Sequence, residues 1–156
     1  STPSKDVETA KEAIRAAIGR RPDTAVVSAK SFAGLKNNPS ILDRIKYTGR
    51  DSVTEELLAN LWGLQRVVVG DAVYEQADGT LADVWGGDVV LGYSAVGSVA
   101  DRGRPTYGYT YRLQGYPVVE QPYYDRPAKS WIYPVTDELQ PVIAGVAGGY
   151  LIKGAA

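Results

Sequence analysis

The sequence predicts an α+β fold, on three observations. Up to about residue 94, helical periodicity alternates with short buried-strand patterns, which reads as a small α/β layer. From Ser94 to Pro105 the composition turns to Gly, Ser and other small residues, with Asp101, Arg102 and Arg104 among them. Beyond that break, seven of the eleven tyrosines fall between Tyr107 and Tyr133, in short stretches punctuated by proline.

The first element is a helix from Ser4 to Ile18. Val7, Ile14 and Ile18 share one face, with Ala10, Ala13 and Ala17 beside them. Ser4 or Asp6 is the expected cap, and Asp6 and Glu8 suit the positive end of the helix dipole. Gly19 is the expected left-handed stop, before a turn at Pro22-Asp23. Thr24 to Ser28 reads as a buried strand, and Ala29 to Lys36 as a helix with Phe32 and Leu35 inward. Asn37-Asn38-Pro39 breaks that helix. Ser40 to Ile45 adds another turn or two, burying Ile41, Leu42 and Ile45, and Tyr47-Thr48-Gly49 ends it.

Ser52 and Glu55 have capping-box spacing for a helix that runs to Trp62, striped by Leu57, Leu58 and Leu61 and closed by Gly63. Arg66 to Tyr74 reads as a strand, Asp78-Gly79 as a tight turn, and Asp88 to Tyr93 as another strand. Ser94 to Pro105 reads as an exposed loop. Tyr107, Tyr109 and Tyr111 alternate, so the spacing predicts that all three project from one strand face. Tyr116 to Glu120 and Ser130 to Thr136 are further strands, kept short or at edges by Pro117, Pro122, Pro127 and Pro134. The tail from Val142 to Lys153 is a strand, a Gly148-Gly149 turn and a last strand, Tyr150 to Lys153.

At 156 residues and 44% hydrophobic composition, the chain has enough apolar material for one core. Seventeen basic and eighteen acidic side chains leave a net charge of -1, unlike a free nucleic-acid binder. No run of 18 apolar residues occurs, so no membrane-spanning helix is expected, and no signal peptide is visible. With neither His nor Cys, disulfides, thiol nucleophiles, His/Cys zinc sites and serine-histidine catalysis are excluded. The absence of Met, even at position 1, predicts that the chain begins inside a longer gene product.

Carboxylate pairs are the remaining catalytic device. Glu55-Glu56 are accounted for by the start of a helix. Asp83 and Asp88 flank Trp85-Gly86-Gly87, a layout that could suit a sugar or calcium site, although a solvated turn is the better reading. No dinucleotide fingerprint or phosphate loop is present, so no cofactor is expected. The tyrosine-rich segment admits three readings: stacking of carbohydrate or bases, a protein interface, or an ordinary amphipathic sheet. The candidate contact residues are Arg102, Arg104, Tyr107, Tyr109, Tyr111, Trp131 and Tyr133.

An ordered set of motifs points further. Ala16 to Ser28 reads Ala-Ala-Ile-Gly-Arg-Arg-Pro-Asp-Thr-Ala-Val-Val-Ser, and a Leu-Lys-Asn-Asn-Pro break follows at Leu35 to Pro39. Asp43-Arg44-Ile45-Lys46-Tyr47-Thr48-Gly49, Val69-Gly70-Asp71-Ala72-Val73-Tyr74, Trp85-Gly86-Gly87-Asp88 and Gly149-Tyr150-Leu151-Ile152-Lys153-Gly154 complete the set. In this order the wording resembles the major capsid proteins of tailed bacteriophages and their prophage relatives, which share the Hong Kong 97-type fold.

That resemblance implies a C-terminal half of such a protein, without the N-terminal arm, extended loop and spine helix. It implies that residues 1–94 and 141–156 form an axial-like α/β domain and residues 105–140 peripheral-like strands. It implies a non-enzymatic structural subunit that assembles with copies of itself into pentamers, hexamers and an icosahedral head. Scaffold, portal and packaged DNA are its further expected partners, with no membrane, and its expected location is the virion, after assembly in the host bacterial cytoplasm. Some members of the fold weld subunits through a Lys-Asn isopeptide bond. Here Asn37, Asn38 and Asn60 all lie outside the peripheral-like segment and give that no support. Two alternatives remain: an encapsulin-like nanocompartment shell, and a carbohydrate-binding module or carboxylate hydrolase on the aromatic strands.

Overall fold

The computed structural model describes residues 2–46, 52–94 and 104–155. The chain divides into two units, Ser1–Tyr107 with Gly145–Ala156, and Gly108–Ala144.

The first unit is built on a four-stranded mixed sheet, β1 (Thr24–Ser28), β2 (Arg66–Gly70), β5 (Val89–Gly92) and β12 (Gly149–Ile152), in the order β12-β5-β1-β2. β1 runs parallel to β2 and antiparallel to β5, and β5 runs antiparallel to β12. The parallel pair needs a crossover, supplied by α2 (Ala29–Lys36), α3 (Pro39–Ile45) and α4 (Glu55–Trp62). Ala25 lies opposite Val67 and Leu91, and Val27 opposite Val89, so the alternation of the strands puts these five on one face. All five are buried in a single cluster with Val7, Ala10 and Ile14 of α1 (Pro3–Ile18), Leu35, Ile41, Ile45, Leu57, Leu58 and Trp62. On the other face the register lines up Leu151, Val90, Val26 and Val68, one from each strand.

Several details differ from the sequence expectation. The cap of α1 is Thr2, not Ser4 or Asp6, because Pro3 occupies the first turn with a fixed φ and no N–H to satisfy. Ser4 is buried inside the helix. Ala13 and Ala17 are exposed, and Lys11, one turn from both Val7 and Ile14, is buried in their place. Its Nζ donates to Glu8 Oε1 at 2.7 Å and to the Trp62 carbonyl at 2.7 Å, so the ammonium sits at the negative end of α4. Gly19 stops α1 at φ 69° as expected.

Thr54, not Ser52, caps α4: its Oγ1 accepts from the Leu57 N–H at 3.3 Å. Leu42 is 42% exposed, since the short α3 turns only Ile41 and Ile45 inward. The expected strand from Arg66 to Tyr74 ends at Gly70. The chain leaves the sheet at Asp71-Ala72, and Val73–Glu75 (β3) pairs instead with Leu81–Asp83 (β4), a strand the sequence did not reveal. Gly70 is needed there because a Cβ would lie 2.6 Å from the Trp85 ring. Tyr47-Thr48-Gly49 and most of the expected Ser94–Pro105 loop lie outside the described residues.

The turn of the β3–β4 hairpin is the expected Asp78-Gly79, with Gly79 at φ 80°. Asp78 Oδ1 accepts from Thr80 Oγ1 at 2.6 Å and from the Thr80 N–H at 3.0 Å. These bonds hold the Asp78 carboxyl below the ordinary carboxylate range, the side-chain bond contributing most. The depressed value means the turn is tightest above the ordinary carboxylate pKa and loosens as pH falls through the lowered one. Replacing Thr80 by Ala is expected to return the Asp78 titration, followed by NMR, towards the ordinary range.

The second unit contains three two-stranded ladders: β6 (Gly108–Arg112) with β11 (Leu139–Ile143), β7 (Val118–Val119) with β10 (Val135–Thr136), and β8 (Tyr123–Asp125) with β9 (Ser130–Ile132). β8 was not expected. The expected strands Tyr116–Glu120 and Ser130–Thr136 are shorter than read, the second being interrupted at Tyr133-Pro134, where proline has no N–H for a ladder. β11 begins at Leu139, ahead of the expected Val142.

Candidate assembly surface

None of residues 108–144 is buried. Two-stranded ribbons are marginal in water without a hydrophobic face packed on something. Here the large apolar side chains lie open, with Tyr111 60%, Val119 77%, Trp131 60% and Tyr133 70% exposed. Soluble monomers rarely display so many together, and such patches mark contact surfaces.

Local bonds shape the unit. Arg112 at the end of β6 donates to Asp137 through Nε at 3.1 Å and Nη2 at 2.5 Å, a two-pronged pair that ties the β6 and β11 ends. Thr136 donates to Glu120 at 2.7 Å beside the β7–β10 ladder. Tyr124 lies directly opposite Trp131, and their rings meet edge-on at 5.6 Å. Tyr109 and Tyr111 share a face of β6, with ring centroids 6.0 Å apart. The result is a set of braced ribbons carrying stiff aromatic groups, which contribute contact area at low entropic cost.

The candidate residues do not all come together. Tyr109 and Tyr111 form one pair, and Trp131 pairs with Tyr124. Tyr107 is not on β6. It belongs to the first unit, where its ring packs on Gly92 and Gly149, which leave no room for a Cβ at Gly149. The three-tyrosine face is therefore a two-tyrosine face. Tyr133 is exposed between β9 and β10, Arg104 is exposed in the first unit, and Arg102 lies outside the described residues. Tyr123 and Tyr124 were missed because a three-residue strand between prolines is too short to show a period; Val119, on the two-residue β7, and Ile143, at the end of β11, were missed as well. The adjacent Tyr123-Tyr124 pair was the available signal.

The two carboxylates that flank Trp85-Gly86-Gly87 differ in their surroundings. Asp88 accepts from the Gly154 N–H at 3.0 Å, and Asp83 is an exposed member of β4 opposite Val73. Among the described residues, no group of three or more His, Cys, Asp or Glu side chains gathers as a metal site, and no helix is long and apolar enough to cross a membrane.

Comparison with known proteins follows the same direction. No family model matches the chain. It is 37% identical to a major capsid protein of Burkholderia phage BcepMu, over 99% of this chain and 50% of the relative. The fold matches a phage-related protein of Bordetella bronchiseptica RB50 with a TM-score of 0.89 and 44% identity, over 99% of this chain and 50% of that one. A prophage protein of Escherichia coli CFT073, itself proposed to be a capsid protein, shares the fold at a TM-score of 0.51 and 17% identity, over 98% of this chain and 47% of that one. The chain spans about half the length of the curated relative it matches. Over 99% of its length, this chain is similar to about half of a phage major capsid protein.

Proposed function

We propose that this chain is the C-terminal, shell-forming half of a phage or prophage capsid subunit of the Hong Kong 97-type fold. In this reading the first unit serves as the axial domain around a fivefold or sixfold axis, and residues 108–144 serve as peripheral strands that reach neighbouring subunits. The observation that carries it is the coreless second unit. A segment with no buried residue and many exposed aromatic and aliphatic side chains is stabilised once another surface covers it.

A shell needs surfaces rather than a reactive centre. Copies in a ring contact one another head to tail and close by rotation. Each contact can be modest, because every subunit engages several neighbours at once. A net charge of -1 avoids the long-range repulsion that would oppose closure.

The test is negative-stain electron microscopy of the complete gene product, expressed alone or with its neighbouring genes. Uniform shells, or isolated rings of five or six, support the reading; folded monomers under the same conditions overturn it. Replacing Tyr109 and Trp131 together by Ala is expected to abolish shells while leaving the circular dichroism of the protein unchanged. Unaltered assembly of that variant would remove the two residues from the contact.

A further inference from the structure

The first unit carries a second exposed apolar feature. Neither β3 nor β4 has a buried residue, and Val73, Tyr74, Leu81 and Val84 are 53%, 52%, 71% and 57% exposed. The register puts Val73 opposite Asp83 and Glu75 opposite Leu81, so one face of the hairpin alternates two aliphatic side chains with two carboxylates. The surrounding sequence is uniformly acidic. From Val67 to Ser94 there is no Lys or Arg, while Asp71, Glu75, Asp78, Asp83 and Asp88 are present.

The surface of the α2–α3 layer has the opposite character. Lys30, Lys36 and Lys46 are exposed there, against a single carboxylate, Asp43, while Arg44 lines a groove with Thr2, Lys5 and Glu8 beside α1. Leu42 is open, with Lys46 one turn further along the chain, and the Lys36 ammonium lies 4.6 Å from the centre of the half-buried Phe32 ring. Exposed aliphatic groups therefore occur on two surfaces of this unit whose charges are mainly of opposite sign.

Resting on the capsid reading above, we infer that the β3–β4 hairpin of one copy docks on the α2–α3 surface of the next. Charge complementarity selects the occupant. Hairpin on hairpin would juxtapose carboxylates, and α2–α3 on itself would juxtapose cations, whereas hairpin on helix layer pairs each with its opposite. The contact joins two different patches, so it is heterologous and propagates around a ring. Leu81 and Val73 would cover Leu42, while Glu75 and Asp83 would meet Lys36 and Lys46.

The experiment uses the complete gene product and three variants: Glu75→Lys with Asp83→Lys, Lys36→Glu with Lys46→Glu, and the four changes combined. Rings and shells are scored by electron microscopy and sedimentation, with folding checked by circular dichroism. All four positions are exposed, so the fold is expected to survive. Each pair of changes is expected to weaken association at least about tenfold, and the combination to restore it. The wild-type contact is also expected to weaken as salt rises. A cysteine at Leu81 of one copy should oxidise to a cysteine at Leu42 of another when Leu81→Cys and Leu42→Cys proteins are co-assembled. Neither variant alone should cross-link through those positions. Assembly unaffected by either pair, a combination that stays dispersed while folded, or self-cross-linking of Leu81→Cys overturns the inference and leaves the capsid reading standing. A wild-type product that remains monomeric overturns both.

Discussion

Excising residues 108–144 and joining Tyr107 to Gly145 through Asn-Gly is expected to leave the first unit folded and to abolish shell formation by the complete gene product. The junction is already prepared: the Gly145 N–H donates to the Tyr107 carbonyl at 3.2 Å, the bond that closes a four-residue β-turn. Asn-Gly supplies the two central residues that hairpin turns favour. None of the removed residues is buried, so the core around Leu58 and Val27 loses nothing. Circular dichroism and a thermal melt of the shortened chain read the first expectation, and electron microscopy reads the second. Loss of cooperative melting in the shortened chain would show that the second unit holds the first together. Normal shells would end its assignment as the contact segment.

Replacing Leu58 by Ala is expected to cost about 3 kcal/mol of stability, the mid-range for emptying a fully enclosed leucine site. Leu58 is 0% exposed on α4, in the same cluster as Ile14 and Ile41, and its backbone is fixed by the Thr54 cap and by Gly63 at φ 63°. Such a site cannot collapse around the missing atoms without moving a helix end. Chemical denaturation would measure the change, and a melt should fall by roughly 10 °C for a chain of this size. A loss under about 1 kcal/mol would mean that the α4 side of the core is far looser than its burial implies. The same replacement at the 42% exposed Leu42 is expected to change stability by less than about 0.5 kcal/mol.

The contrast between those two leucines shows what the sequence discloses. Both follow helical spacing, but α3 has seven residues, too few for a stripe to reveal which side faces in. Over the sixteen residues of α1, the face of Val7, Ala10 and Ile14 was legible, while the Thr2 cap, the exposure of Ala13 and Ala17 and the buried cation were hidden. Lys11 sits inside because the Trp62 carbonyl, 51 positions away, accepts its hydrogen bond, and no local pattern carries that information. The central strands were readable as runs of Val and Ala. The departure of the chain from the sheet after Gly70 was not, because Val73 and Tyr74 continue the β-forming composition into a different hairpin. In the candidate site, the tyrosine content was legible as a surface, while the pairing of Tyr124 with Trp131 and the retreat of Tyr107 on to Gly92 depend on register and long-range packing.

The order of strands also bears on when the first unit can complete its sheet. β12 pairs with β5 along the edge of the sheet, yet β5 ends at Gly92 and β12 begins at Gly149. Throughout synthesis of the intervening residues, the β5 edge has no neighbour on that side, and open edges recruit other chains. A nascent chain that has not yet reached β12 therefore presents an open sheet edge, which the pairing of β12 with β5 closes. The sheet of the first unit is thus complete only after every residue of the second unit has been made.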